Sequence, residues 1–117
     1  MLKVNRRDSG DVVVIELTGA IDGSDSCRAI HEAIRKSLAE ERRKFVFNLS
    51  RVEWINSLGT GFLVAAAVAA AREGAAVRLV APKPRVSEVL QACGVVPHVW
   101  PVFPGEVEAL ESLAAAD

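Results

Sequence analysis

The side chains best suited to chemistry lie in one short segment, where Asn56 and Ser57 precede Gly59 and Gly61. A serine at the start of an apolar run is typical of a helix N-cap, because its hydroxyl can accept a hydrogen bond from a backbone N–H of the first turn. A phosphate on such a serine would also be stabilised, because free N–H groups and the helix dipole attract negative charge. The segment therefore predicts a structural cap at Ser57, a role that is compatible with phosphorylation.

Other kinds of reactive site have little support in the sequence. The Gly59-Thr60-Gly61 run lacks the third glycine and the lysine of phosphate-binding loops. Cys27, Cys93, His31 and His98 are scattered and show no metal-ligand spacing. We expect two buried free thiols rather than a disulfide, and no metal or cofactor. We expect no enzymatic activity either, because two isolated histidines and no tyrosine leave no acid–base pair.

Composition and charge favour one soluble domain over residues 1–117. Fourteen basic against fifteen acidic side chains give a net charge of −1, so the chain has no field that would attract nucleic acid or a membrane surface. The longest apolar run, Phe62 to Ala71, is too short to span a bilayer. Because Met1 to Asp8 has no apolar leader, we expect a cytoplasmic protein without membrane insertion.

Strand and helix patterns alternate along the chain after an initial hairpin. The pattern predicts strands at Leu2–Arg7, Val12–Leu17, Lys44–Leu49, Ala76–Ala81 and Val95–Val102. It predicts helices at Ser26–Glu40, Ser57–Gly74 and Pro104–Ala115, and a short helix that follows the connection Pro82-Lys83-Pro84 and stops at Gly94. A loop is predicted over Ser50–Asn56. This order is typical of an α/β fold: a mixed sheet with an N-terminal hairpin and parallel crossovers, and with helices mainly on one face.

The helix that begins at Ser57 has no polar stripe, so its orientation is inferred from the side on which its terminal charges, Arg72 and Glu73, lie. At about 100° per residue, one arc should face the core; its members are Thr60, Leu63, Val64, Ala67 and Ala71. The opposite arc should face outward; its members are Leu58, Phe62, Ala65 and Ala69. An outward apolar face of small residues predicts close approach by another protein, unless a second layer of the domain covers it.

The segment FVFNLSRVEWINSLGTG, residues 45–61, resembles the signature of the STAS domain of bacterial anti-sigma factor antagonists. The family pattern is Asp-Leu-Ser-x-Val followed by Asp-Ser-Ser/Thr-Gly-Leu-Gly. The turn Leu17-Thr18-Gly19, with Asp22 and Ser24 after it, is similar to the family's turn before the first helix. Val80 to Gly94 resembles its later strand, short helix and glycine stop, so that the resemblance spans nearly the whole chain.

The resemblance implies partner switching. Ser57 takes the place of the serine that a kinase phosphorylates, where that kinase is itself the anti-sigma factor. Unmodified protein would bind the kinase, and phosphorylated protein would release it; the scheme leaves room for a phosphatase and for a homodimer. The implied partner-binding residues are Asn56, Ser57, Leu58, Gly59, Gly61, Phe62, Ala65 and Ala69. The two departures from the family pattern that matter most are Asn56, which replaces the aspartate before that serine, and Leu58, which replaces a second hydroxyl residue.

A second interpretation uses the same fold without phosphorylation. The chain would then be a constitutive binding module, for example a scaffold subunit on the ATPase of a lipid-transport complex or in a signalling assembly. Asn56 and the outward apolar face fit this interpretation as well as the first.

Overall fold

The computed structural model describes residues 1–94 and 100–114 and contains five strands and four helices. The strands are β1 (Lys3–Ser9), β2 (Val12–Ile21), β3 (Lys44–Ile55), β4 (Ala76–Val80) and β5 (Val102–Phe103). The helices are α1 (Arg28–Ala39), α2 (Ser57–Arg72), α3 (Pro84–Ala92) and α4 (Glu106–Ala114), and a short 3-10 turn at Asp25–Cys27 precedes α1. The predicted order of strands and helices is confirmed.

The sheet has the strand order β1-β2-β3-β4-β5, so that each strand pairs with its neighbours in sequence. The pair β1–β2 is an antiparallel hairpin, and the other three pairs are parallel. From β2 to β5, each new strand is added at the same edge of the sheet. Because the connections between parallel strands share one handedness, the helices in these connections lie on the same face. The predicted mixed α/β sheet is therefore the observed one.

Two apolar clusters fill the two sides of this sheet. Alternate residues of β2 and β3, such as Ile15 and Phe47, lie in the main cluster with apolar residues of α1, α2 and α3. The intervening residues, such as Val14 and Val46, lie in a second cluster with Ala109 of α4. Three helices thus cover one face and α4 covers the other.

The predicted loop over Ser50–Asn56 is wrong, because β3 continues to Ile55 and pairs with the far end of β2. Register shifts interrupt this part of the ladder, between Glu16 and Thr18 and between Gly19 and Ala20. Such bulges break the two-residue alternation by which a strand is recognised in sequence. The extra length carries β3 to the same edge as Ile21 and fixes where α2 begins.

Several smaller expectations are also resolved. Cys27 is buried but Cys93 is exposed, because it follows the last turn of α3; both thiols are free. The predicted start of the last strand and His98 lie outside the described residues. Over residues 1–94 and 100–114, no helix is long and apolar enough to cross a bilayer.

Candidate functional site

The candidate site is the N-terminal end of α2, which lies where β2 and β3 both end. Ile21 and Ile55 are paired at the last position of the parallel ladder. The chain then turns at Asn56, which has an extended backbone with φ −125° and ψ 178°, and α2 starts at Ser57. Because carboxyl ends of parallel strands share one edge, the turn after β2 is brought beside the first turn of α2.

Asn56, rather than Ser57, is the N-cap of α2. Its side-chain Oδ1 accepts a hydrogen bond from the Gly59 N–H at 2.7 Å. Its carbonyl oxygen accepts both the Thr60 N–H at 2.9 Å and the Thr60 hydroxyl at 2.8 Å. The predicted cap at Ser57 is therefore wrong by one residue, since asparagine caps helices as well as serine does.

Asn56 also joins α2 to the turn that follows β2. Its side-chain Nδ2 donates to the Asp22 carbonyl at 3.2 Å, and its backbone N–H donates to the Ile21 carbonyl at 3.3 Å. An aspartate would keep the cap, but its carboxylate has no N–H with which to contact the Asp22 carbonyl. The departure from the family pattern at this position thus provides a hydrogen bond that aspartate would not.

Two glycines allow the close approach between this turn and α2. Gly59 is buried, and a Cβ there would lie 1.8 Å from the Ile21 carbonyl oxygen. Gly23 has φ +85°, and a Cβ there would lie 2.4 Å from Cγ of Leu58. Gly59, which the resemblance predicts on the partner surface, lies inside the protein, where it sets the position of the helix.

Asp22 and Ser24 occupy the predicted turn before the first helix. The Asp22 Oδ1 accepts a hydrogen bond from the Ser24 N–H at 2.9 Å. Hydrogen bonding from the Ser24 hydroxyl, and then from its N–H, keeps the pKa of the Asp22 carboxyl below its usual range. The hydroxyls of Ser24 and Ser26 lie 3.0 Å apart, and Ser26 in turn accepts the Leu2 N–H at 3.1 Å.

Ser57 itself is exposed at the first position of α2. Its hydroxyl has no hydrogen-bond partner among the residues that the structure describes. Leu58, immediately after it, is 66% exposed. Ser57 is therefore a reachable hydroxyl beside a large exposed apolar side chain.

An apolar strip runs along α2 from this point and is rotated from the predicted one. We call Leu58, Gly61, Ala65 and Val68 the α2 stripe; all four are exposed, and Val68 is 45% exposed. In the described part of the chain, no second layer covers it.

Phe62 and Ala69, predicted on this face, are half-buried against the main core, whereas Ala71, predicted toward the core, is exposed. The outward direction therefore differs by roughly 60° about the helix axis from the predicted one. Packing of α1 against α2 on one side accounts for the difference, since Ala69 lines the groove between these helices.

A cleft missed by the sequence analysis lies beside the end of β3. It has a volume of about 240 Å³ and is lined by Trp54, Ile55, Arg85, Glu88 and Val89. Trp54 is 48% exposed although it lies on a strand. The signal in the sequence was Trp54 itself, a large aromatic residue two positions before Asn56. The cleft was missed because this position was predicted to be in a loop rather than on a strand.

Metal binding finds no support in the described residues, which contain no group of three His, Cys, Asp or Glu side chains placed to hold an ion. His31 lies half-buried on α1, and its buried Nδ1 has no hydrogen-bond partner among these residues. What the described residues place at the N-terminal end of α2 is an exposed serine beside an exposed apolar side chain.

The chain belongs to the STAS domain family, whose model matches residues 3–109. This match includes every strand of the sheet and the whole of α2. A search of curated proteins finds no significant match.

Solved structures with the same fold come from several bacterial proteins. An anti-sigma factor antagonist from Mycobacterium paratuberculosis matches with a TM-score of 0.83 at 24% identity, over 97% of this chain and 95% of that chain. The Bacillus cell fate determinant SpoIIAA in its phosphorylated form matches with a TM-score of 0.72 at 20% identity, over 95% and 99% of the two chains. A sulfate transporter family protein from Wolinella succinogenes matches with a TM-score of 0.80 at 17% identity, over 92% and 88%. At these identities the similarities establish the fold alone.

Proposed function

We propose that this STAS protein is an anti-sigma factor antagonist that works by partner switching in the cytoplasm. It binds a serine-kinase anti-sigma factor while Ser57 is unmodified and is released when that kinase phosphorylates Ser57. The observation that carries the proposal is the reachable, unpartnered hydroxyl of Ser57 at the start of α2, next to the exposed Leu58. The solved phosphorylated form of a protein with this fold supports it.

The first turn of α2 can accommodate the product of the phosphorylation. In the reaction the Ser57 Oγ attacks the γ-phosphorus of ATP, the bond to the β-phosphate oxygen breaks, the hydroxyl proton leaves, and ADP is released. The first N–H groups of a helix have no intrahelical acceptor, so those of Ser57 and Leu58 can face the phosphate. Asn56 is neutral and adds no like charge beside it.

The sign of the switch follows from the surroundings of Ser57. A phosphoserine carries about −1.5 to −2 charges, and it would enter an interface that begins at the α2 stripe. Burying that charge against apolar surface costs desolvation energy. A cost of about 3 kcal/mol weakens binding by more than about a hundredfold. The phosphorylated form should therefore dissociate.

The first test is the phosphorylation state of the chain purified from its own cells, during growth and under stress, by mass spectrometry. We expect the peptide that contains Ser57 to gain one phosphoryl group in a condition-dependent manner. The Ser57→Ala variant should lose the modification, and the control Ser50→Ala, which removes another exposed serine, should keep it. Full peptide coverage with unmodified Ser57 under every condition would contradict the proposed switch.

The second test measures the release step. The serine kinase that co-purifies with the tagged chain is titrated with wild type, Ser57→Asp and the control Ser50→Asp by calorimetry. We expect Ser57→Asp to weaken binding by roughly a hundredfold and Ser50→Asp to leave it nearly unchanged. Equal affinity of all three proteins would refute release by phosphorylation.

A constitutive binding module is the second candidate function. Asn56 and Leu58, where the family pattern has an aspartate and a hydroxyl residue, favour it, because the site then lacks the carboxylate and the second hydroxyl of the usual phosphoacceptor segment. In this case Ser57 stays unmodified in cells, and the protein remains bound to the same partner, such as a transporter ATPase or a signalling assembly, under all conditions.

A further inference from the structure

A second surface lies between α1 and α2, near their C-terminal ends and away from Ser57. We call it the α1–α2 groove: it has a volume of about 450 Å³, an apolar floor of Leu38, Ala39 and Ala69, and a rim that includes Arg35 and Arg72. The proposed function makes no use of it.

The groove has an excess of positive charge. Arg35 and Arg72 have no carboxylate partner among residues 1–94 and 100–114. By contrast, Arg42 pairs with Asp8 at 2.9 Å. The whole chain has a net charge of −1, so the positive charge is a local property of the groove. Glu73, the carboxylate on the rim, already pairs with Arg43 at 3.5 Å.

The shape of the groove favours a protein segment over a small molecule. Small-molecule sites enclose most of the ligand, whereas this groove is open to solvent along both helices. An apolar floor between two helices with cations on the rim suits an amphipathic helix with acidic side chains. Guanidinium groups bind carboxylates with two parallel hydrogen bonds, which adds geometric selectivity.

The apolar face of α4 packs on the sheet, but its exposed side carries an apolar residue and acidic side chains. Val107 is 68% exposed, and Glu108 and Glu111 are exposed beside it. Neither glutamate has a basic partner in the described part of the chain. Glu106, in contrast, is bound internally by Arg7 and Asn48. The exposed side of α4 therefore has an apolar residue that matches the apolar floor of the groove and negative charges that complement its arginines.

The two surfaces lie on opposite sides of the sheet, so one copy cannot fill its own groove. We propose that α4 of one copy docks in the α1–α2 groove of the next. Val107 then contacts the apolar floor, and Glu108 and Glu111 face Arg35 and Arg72. A contact between two different surfaces is head-to-tail and repeats from copy to copy.

This assembly goes beyond the proposed partner switch and does not depend on it. Ser57 and Arg72 are the first and last residues of a 16-residue helix, about 22 Å apart at 1.5 Å per residue. That separation exceeds the screening length of about 8 Å at physiological salt. Phosphorylation of Ser57 should therefore leave the assembly unchanged.

The contact should be weak and sensitive to salt. The docking helix has nine residues, so the contact is smaller than a standard interface. We expect a dissociation constant on the order of 0.1 to 1 mM at low salt, and weaker association as salt screens the four charges.

Sedimentation velocity of the full chain at low salt tests the proposal, from about 20 µM to about 1 mM, a range chosen for a weak contact. Wild type and Ser57→Asp should show the same rise in mean mass with concentration. The groove variant Arg35→Glu with Arg72→Glu should stay monomeric. The control Arg51→Glu with Arg85→Glu makes the same charge change at exposed arginines outside the groove and should behave as wild type.

A mixing experiment tests the head-to-tail geometry. The α4 variant Val107→Asp should be monomeric alone. In a mixture of the two variants, the Val107→Asp chain has an intact groove and the groove variant has an intact α4. These two surfaces can form one contact only, so the mixture should stop at a 1:1 dimer. A chain that combines Arg35→Glu and Arg72→Glu with Glu108→Lys and Glu111→Lys should self-associate again.

The outcomes decide the proposal. Monomeric wild type up to about 1 mM would overturn it, since a weak contact of this size would be populated there. Assembly that persists in the groove variant, or that is lost equally in the Arg51 and Arg85 control, would overturn it as well. Circular dichroism establishes that each variant is folded; if the groove variant is not, Arg35→Gln with Arg72→Gln replaces it.

Discussion

The two ends of α2 differ in how their polar groups are satisfied. At the N-terminal end, Asn56 bonds to Gly59, Asp22 and Ile21 over 2.7 to 3.3 Å. At the C-terminal end, Arg72 has no ionic partner within the described residues. These internal hydrogen bonds hold the N-terminal end of α2 in place, and phosphorylation of Ser57 would change its charge. At the C-terminal end, Arg72 is solvated and is left for the proposed contact with a second copy.

The largest effect on stability is expected at Gly59, where the N-terminal end of α2 packs against β2 because glycine has no side chain. The Gly59→Ala variant should lower the free energy of unfolding by about 3 kcal/mol, because the new Cβ would lie 1.8 Å from the Ile21 carbonyl oxygen. Urea denaturation of the purified protein measures the change.

Gly61→Ala is the matched control on the same turn of α2. A Cβ at Gly61 meets no atom within 4 Å, so alanine should stabilise the helix by about 0.5 to 1 kcal/mol. Equal destabilisation by both substitutions would mean that helix geometry, rather than contact with β2, restricts position 59.

The hydrogen bonds of Asn56 should contribute the next largest effect. Asn56→Ala removes the cap and the bond to the Asp22 carbonyl, and should cost about 2 kcal/mol. Asn56→Asp keeps the cap and loses only the donor, so its cost should be about 1 kcal/mol. Thermal unfolding at neutral pH would separate the two variants; identical stability of Asn56→Asp and wild type would show that the bond to the turn contributes nothing.

The smallest effect is expected in α4, the helix proposed to dock at the other end of α2. The Arg7 guanidinium, and to a lesser extent the Asn48 amide, hold the pKa of the Glu106 carboxyl below its usual range. A lowered folded-state pKa contributes stability above the unfolded value, and this is lost as the pH falls through the folded value.

Glu106→Gln should therefore be less stable than wild type at pH 7, by about 0.5 to 1 kcal/mol because solvent screens this half-exposed pair. The difference should fall progressively below about pH 5 and vanish once the carboxyl is protonated. Urea denaturation at several pH values measures it. A difference that stays constant down to about pH 2 would point to lost packing rather than lost charge.

The parts of this fold that could be predicted from the sequence are those that depend on local patterns. Apolar periodicity and turn residues determined the order of strands and helices, because each depends on residues close in sequence. The end of β3 was missed because its bulged pairing with β2 is a contact between distant residues. Ser57 was correctly placed at the start of α2, but the cap went to its neighbour Asn56, because both residue types suit that role.

The sequence by itself determined the family, the order of the elements and the segment around Ser57, since all of these are patterns in neighbouring residues. Only the tertiary structure decided which face of α2 is exposed. An apolar helix without a polar stripe carries no local sign of its orientation, and packing against α1 set it. The same holds for the α1–α2 groove, because residues from two helices far apart in sequence meet only when the sheet is formed.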